Sequence, residues 1–506
     1  MSGRWPPSTP PSSTETCEIG ANCSPASEAT RQWPGGFWPL PAPGTPEARV
    51  PWRNTWSGGC SRICPHGSCG QKTRPVRRVT GHSGRVAARP PGFHMGALSP
   101  DVTTPNRSGH PLRVNAARQA LLEEFASIIA THPGLDRAMV SFQGNRRRPR
   151  FAWFKFREGF SAELVEYLVR QSGRSPGVLL DPFAGSGAAL FVGRDLGWRC
   201  VGIEMLPVAC FAVQARLVAE RIDPRLLRRR LQAARSVRWA DHFSPEFALR
   251  HAAITAGAFP PQTERALAGY RAWCRRHIRD PHVRNLFEFA AFAVLEDISY
   301  TRKDGQYLRW DHRAGKTRIT GRFEKGVIPD FRRAVLAKLD SMLEDLTGDQ
   351  DPPTLFDAMP ESAARAGDIQ MRQGSCLEVL PDLTADSVDL IITSPPYCNR
   401  YDYTRTYALE LVFLGLGTDE IKSLRQAMLS CTVENRAKLA QLAEAYERRR
   451  QRPTFDRVLR VFEEQAALQE VLDRLVCLGR EGRLNNANIP RLVRNYFLEM
   501  CFLIYE

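Results

Sequence analysis

The sequence predicts an α/β fold: a parallel sheet flanked by helices and interrupted by a helical, basic insertion. Two separated stretches carry that expectation. In the first, the short apolar run Gly177 to Asp181 (GVLLD) passes through a glycine-rich turn into a helical segment, and a second run, Arg199 to Glu204 (RCVGIE), passes into a helix opened by Pro207. In the second, β-type signals return at Ile369 to Gln373 and at Val388 to Thr393 (VDLIIT), the latter ending in a sharp proline break. Strands that alternate with helical segments build parallel sheets.

Taken in chain order, residues 1–94 are crowded with Pro, Gly, Ser, Thr and Arg and show neither helical nor strand period, so this segment is expected to be disordered. Cys60, Cys64, His66 and Cys69 cluster there, but without the paired CxxC spacing of a zinc site, and no metal is expected. A start of the native protein at Met95 is an alternative to a disordered tail. Residues 95–150 read as a lead-in: a helix over Asn115 to Thr131, then the basic run Arg146, Arg147, Arg148 and Arg150, which suits a solvated loop or a phosphate contact. Residues 151–223 form the first ordered half. It opens on a helix from Ser161 to Arg170, with Ser161 at the cap and Glu163 in the first turn, where an acid suits the helix dipole. Residues 224–365 change to basic helices and one stretch, SYTRKDGQYLRWDHRAGKT, that interleaves aromatic and basic residues. Residues 366–415 hold the second ordered half. Residues 416–506 read as helices, ending in Arg491 to Glu506.

Composition narrows the function classes. The 506 residues hold 70 Lys plus Arg against 54 Asp plus Glu, a formal charge of +16, which favours a polyanionic partner such as nucleic acid without requiring one. No apolar run approaches the roughly 18 residues of a membrane span. The first residues, MSGRWPPSTPPSSTETC, lack the apolar core of a secretory signal, so the cytoplasm is the expected compartment. The 13 scattered cysteines then read as reduced thiols.

Two turns carry the chemistry. DPFAGSG, Asp181 to Gly187, lies where an α/β sheet binds ligands, at the carboxyl end of a strand and the start of a helix. Glycine there lets the backbone approach a ligand, though many turns need glycine for backbone angles alone. Glu204 ends the next strand, where a carboxylate accepts from the two hydroxyls of a ribose or is an ordinary strand end. The second turn is TSPPY, Thr393 to Tyr397. Two prolines donate no amide and hold the chain extended, which leaves the carbonyls of Ser394 and Pro395 as acceptors. An exocyclic amine held by such acceptors has its nitrogen lone pair localised and becomes nucleophilic. Tyr397 offers a face on which a base extruded from a duplex can stack.

Together the two motifs resemble those of the amino-methyltransferase family of DNA methyltransferases, which carry a DPFxGSG cofactor loop and a (D/N/S)PP(Y/F/W) motif; the SPPY form looks like the cytosine-N4 branch. FKFREGFSAELVEYL, Phe154 to Leu168, is similar to the family's segment at the methionine end of the cofactor, and GSCLEVLPDLTADSVDLIITSPPY, Gly374 to Tyr397, to its run from third to fourth motif. The likeness covers Phe154 to about Glu220 and Gly367 to Gly415. It implies a Rossmann-like methyltransferase sheet that uses S-adenosylmethionine. Asp181, Phe183, Gly185 and Gly187 would line the cofactor pocket, Glu204 would bind ribose, and Ser394, Pro395, Pro396 and Tyr397 would hold the target base. The chain departs from the family at Ala188, usually threonine, and at Ser375, commonly the aspartate facing the adenine amine. The family sheet also runs on for three strands where this chain reads as the helix Arg491 to Glu506. An incomplete sheet is therefore expected, from truncation or with a second polypeptide supplying the rest.

The insertion is the expected target-recognition region, with Tyr300, Arg302, Lys303, Tyr307, Arg309 and Trp310 meeting DNA, or else a solvated hairpin packed on the catalytic half. The function implied is methyl transfer to the N4 amine of cytosine in DNA, in the manner of restriction-modification systems. The alternatives are adenine N6 in DNA, guanine N2 in tRNA, and an inactive remnant.

Overall fold

The structure is a computed structural model. It describes residues 116–129, 132, 134–304, 307–315, 323–348 and 368–506, all within the unit Asn106–Glu506. Residues 1–94, with the cysteine cluster and Met95 beyond them, lie outside the described residues.

In chain order the strands are β1 (Val178–Asp181), β2 (Arg199–Glu204), β3 (Thr301–Asp304), β4 (Tyr307–Trp310), β5 (Ile369–Gln373) and β6 (Leu390–Ile391). Four of them form a parallel sheet in the order β5-β2-β1-β6, and β3 and β4 form a separate antiparallel hairpin. The register sets Leu179 beside Cys200 and Leu390, and Cys200 beside Ile369. All four residues of β1 are buried, as a central strand covered on both faces requires. The strand read over Val388 to Thr393 shortens to β6. Single ladder bonds flank it, from the Asp389 amide to the Val178 carbonyl (2.9 Å) and from the Ile392 amide to the Leu180 carbonyl (3.2 Å), while the Asp389 carboxylate takes the Val178 amide (2.8 Å). Among the described residues β6 is an edge of this sheet.

The helix Ala162–Ser172 starts where Ser161 Oγ accepts the Leu164 amide (3.1 Å) and stops at left-handed Gly173. The helices Ala188–Asp195 and Pro207–Ala219 follow β1 and β2. Leu179, Ala189, Val192, Trp198, Cys200 and Val213 pack between strands and helices.

The segment 224–348 shares a core with the sheet-flanking helices. Phe289 and Phe292, on the helix Pro281–Ala293, meet Phe211 of the helix Pro207–Ala219 edge-on, at 5.4 and 5.0 Å, and Phe154 packs on both. Phe154, Phe289 and Phe292 are buried, and each such ring contributes about 1.5–3 kcal/mol. Basic residues such as Arg228, Arg229, Arg275 and Arg276 sit on the outside of this aromatic interior.

Toward the carboxyl end, the helices Leu439–Arg448, Arg452–Glu463 and Ile489–Tyr505 enclose Tyr446, Phe455, Phe462, Leu498 and Phe502. The buried Lys438 ammonium bonds both oxygens of buried Glu499 (3.0 Å each), and Glu499 also accepts from the Ser430 amide and hydroxyl. That network fixes the loop 428–435 to the helix Ile489–Tyr505. Among the described residues no helix is long and apolar enough to cross a membrane, and no cluster of metal-ligating side chains occurs.

Candidate active site

In a parallel α/β sheet, ligands bind beyond the carboxyl ends of the strands, where neighbouring connections leave in opposite directions. Here the chain runs from β1 outward through β2 to β5 and then returns to the other side of β1 as β6. A crevice opens at that reversal. It is lined by Phe183 and Gly185 after β1, Glu204 at the end of β2, Ser375 after β5, and Ser394 and Pro396 after β6. Two motifs some two hundred residues apart in sequence thus meet in one recess. Phe156, Glu158, Tyr403 and Met428 complete its wall.

The loop after β1 has its shape because two glycines take backbone angles that side chains disfavour, Gly185 at φ +51° and Gly187 at φ +81°. A Cβ on Gly185 would lie 3.0 Å from the Phe156 ring, and one on Gly187 would lie 2.9 Å from Val213. Glu204 ties this loop to β2: its Oε2 accepts the Gly185 amide and its Oε1 the Leu206 amide, both at 2.7 Å. Each oxygen keeps a second lone pair for a ligand. Burial raises the Glu204 carboxyl, and the backbone amides of Leu206, Gly185 and Met205 pull it back.

Asp181 lies beneath the crevice, fully buried. Its Oδ1 accepts from the Phe183 amide (3.0 Å) and the Thr393 hydroxyl (2.7 Å), while Oδ2 has no hydrogen-bond partner. Desolvation pushes this carboxyl up to about 7, against both hydrogen bonds. A carboxylate in that state favours a cationic neighbour.

At the second turn Ser394 and Pro396 face the crevice, and Tyr397 is 61% exposed with its hydroxyl 3.4 Å from Ser394 Oγ. Asp181, Gly187, Pro395 and Tyr397 adjoin the lining residues and do not themselves line the recess. Cys376 lines it and Cys398 follows Tyr397; burial pushes their thiols up to about 12 and about 11. Both remain protonated near neutrality.

Sequence reading missed Glu158 and the tyrosines around it. Glu158 Oε2 accepts the Tyr407 hydroxyl at 2.6 Å, and Tyr407 stacks on Phe156 at 5.3 Å. The signal was the segment FKFREGF, singled out as a whole and not residue by residue.

The hairpin corrects one expectation. Its alternation exposes Arg302, Tyr307 and Arg309 and turns Lys303 inward, where it is 2% exposed. Lys303 Nζ sits 2.6 Å from Glu410, itself 1% exposed, and 4.2 Å from the centre of the Tyr407 ring. A lysine so enclosed cannot reach a phosphate. Opposed across the ladder, Arg302 and Arg309 both lie over Phe323, while Trp310 packs partly into the core and Tyr300 is half-buried.

A parallel sheet whose glycine loop, acidic strand end and Pro-Pro-aromatic turn converge on one crevice defines the methyltransferase class. Comparison with known proteins narrows it. A DNA methylase family model matches residues 28–214. The type II methyltransferase M.AvaI of Nostoc sp. (strain PCC 7120 / SAG 25.82 / UTEX 2576) is 39% identical over 395 residues, 78% of each chain, and M.AvaI of Anabaena variabilis matches equally. The type II methyltransferase M.BsoBI of Geobacillus stearothermophilus is 33% identical over 422 residues, 81% of each chain. No solved structure matches. The chain belongs to the type II DNA methyltransferase family.

Proposed function

We propose that this protein methylates the N4 amino group of cytosine in DNA, with S-adenosylmethionine as donor. The observation that carries the reading is the shared crevice, which sets the glycine loop and Glu204 beside Ser394 and Pro396. The residues fit the donor: Asp181 Oδ2 is an orphaned buried acceptor beneath the crevice, and each Glu204 oxygen, holding one backbone amide, keeps a lone pair for a hydroxyl. When bound, S-adenosylmethionine supplies an electrophilic methyl group.

The remaining chemistry falls to the chain. Glu204 would accept from the ribose hydroxyls, and Phe183 and Gly185 would close on the nucleoside. The carbonyls of Ser394 and Pro395 accept from the cytosine amine, which withdraws its lone pair from the ring and aims it at the methyl group. Tyr397 stacks on the flipped base and offsets part of the few kcal/mol that extrusion costs. The nitrogen sheds its extra proton to water after transfer. Direct transfer to the amine needs no enzyme nucleophile, and burial keeps the thiols of Cys376 and Cys398 protonated.

Transfer of tritiated methyl from S-adenosylmethionine to mixed-sequence DNA tests the reading. The wild type should label DNA, and Tyr397→Ala should slow labelling roughly 5- to 100-fold, the worth of one base-aromatic stack. Equal labelling by both proteins would remove Tyr397 from the site.

A further inference from the structure

A second recess lies between the hairpin and the chain just past the SPPY turn. It is lined by Tyr307, Arg400, Asp402, Arg405, Val433 and Glu434. Most of its charge is spent internally. Arg405 pairs with Asp402 (3.1 Å) and Glu434 (2.9 Å), and Arg425 reaches Asp402 at 2.9 Å. Arg400 differs: its Nη1 donates to the neutral amide of Asn485 (3.1 Å), and its Nε is buried with no hydrogen-bond partner. Three arginines, Arg400, Arg405 and Arg425, against two carboxylates, Asp402 and Glu434, leave this site cationic in total. Its backbone is also unusual, since Arg400 sits at φ +68°, a left-handed angle that a long side chain seldom adopts. Strain of that kind persists where surrounding structure holds a side chain in place for use.

Arg400 follows Tyr397 by three residues. Whatever stacks on Tyr397 therefore carries its own backbone close to this recess. We propose that the recess binds a DNA backbone phosphate beside the flipped nucleotide, with the Arg400 guanidinium as the contact and Tyr307 as the opposite wall. Arginine suits the task because its planar fork matches phosphate oxygens. The proposal rests on the reading of the crevice as a site for a flipped base.

The test uses a duplex carrying the site that the wild type methylates, located by mapping methylated plasmid DNA. Arg400→Gln should bind this duplex roughly tenfold to a hundredfold more weakly, the worth of a hydrogen bond to a charged group. It should also lower the slope of log K against log salt by about 1. Binding of S-adenosylhomocysteine should be unchanged, which shows that the variant is folded, and Arg400→Lys should restore the slope. In the wild type, a neutral methylphosphonate at one phosphate flanking the methylated base should weaken binding; in Arg400→Gln the same replacement should cost nothing. Asn485→Ala should keep the wild-type slope. If Arg400→Gln and Asn485→Ala instead share a loss of stability with the salt slope intact, Arg400 is a brace and the proposal fails. DNA that is methylated with no dependence on Arg400 overturns this proposal alone, whereas DNA that is never methylated overturns the base-methylation reading with it.

Discussion

Thr393 donates its hydroxyl to Asp181 Oδ1 at 2.7 Å, joining the residue before the SPPY turn to the first residue of the glycine loop. The bond crosses from the chain just past β6 to the end of β1, so the two motifs are held by each other as well as by the sheet. Thr393→Val keeps the shape and removes the donor. It should lower methyl transfer while leaving the overall fold intact by circular dichroism; a wild-type rate would show that the link is incidental.

The Asp181 carboxyl gives a pH signature. Its ordinary value is 3.8, and burial raises it to about 7 in the folded protein. Between those values the folded state holds a proton that the unfolded state has lost, so the contribution of Asp181 to stability is full below the lower value and lost as pH rises through the upper one. Asp181→Asn removes the titration. Urea midpoints at pH 5 and pH 8 should differ less in Asp181→Asn than in the wild type, and equal differences would contradict the assigned shift.

Substitutions at Glu158 and Glu204 should separate the two halves of the proposed donor. It lines the crevice from the segment that precedes the glycine loop, whereas Glu204 stands at the end of β2. Glu158→Gln should weaken S-adenosylhomocysteine, which carries an amino-acid end, and leave methylthioadenosine, which lacks one, unaffected. Glu204→Gln should weaken both. Calorimetry reads the four affinities, and parallel losses on Glu158→Gln would place that residue elsewhere.

The hairpin divides into a buried face and an exposed one, and we propose the exposed face as a DNA contact. Lys303→Ala strands the Glu410 carboxylate in the interior and should cost about 3–5 kcal/mol in urea unfolding, with Lys303→Met plus Glu410→Leu recovering most of it. Arg302→Ala is exposed and should change stability by less than about 0.5 kcal/mol while reducing DNA affinity and its salt slope. A stability loss at Arg302 matching that at Lys303 would contradict the division.

The parallel strands and the helix caps were legible because they rest on local signals. GVLLD and RCVGIE are short apolar runs bounded by turn residues, and Ser161 caps its helix from the position expected. What sequence concealed came from tertiary packing. Lys303 looked like a DNA contact because the partner that buries it, Glu410, lies 107 residues away. The aromatic core of 224–348 was masked by its many arginines, whose charge dominates composition while Phe287, Phe289 and Phe292 decide the packing. Glu158 carried no motif of its own, and only the convergence of loops brings it to the crevice.

The central claim is the identity of the methylated atom. The wild-type protein is expressed in a host that lacks its own DNA methylation, and the genomic DNA is digested to nucleosides for mass spectrometry, with Tyr397→Ala expressed in parallel. The account predicts N4-methylcytosine in the wild-type sample and a sharp reduction in the variant. N6-methyladenine in its place, or no methylated nucleoside from a protein that binds S-adenosylhomocysteine, would contradict it.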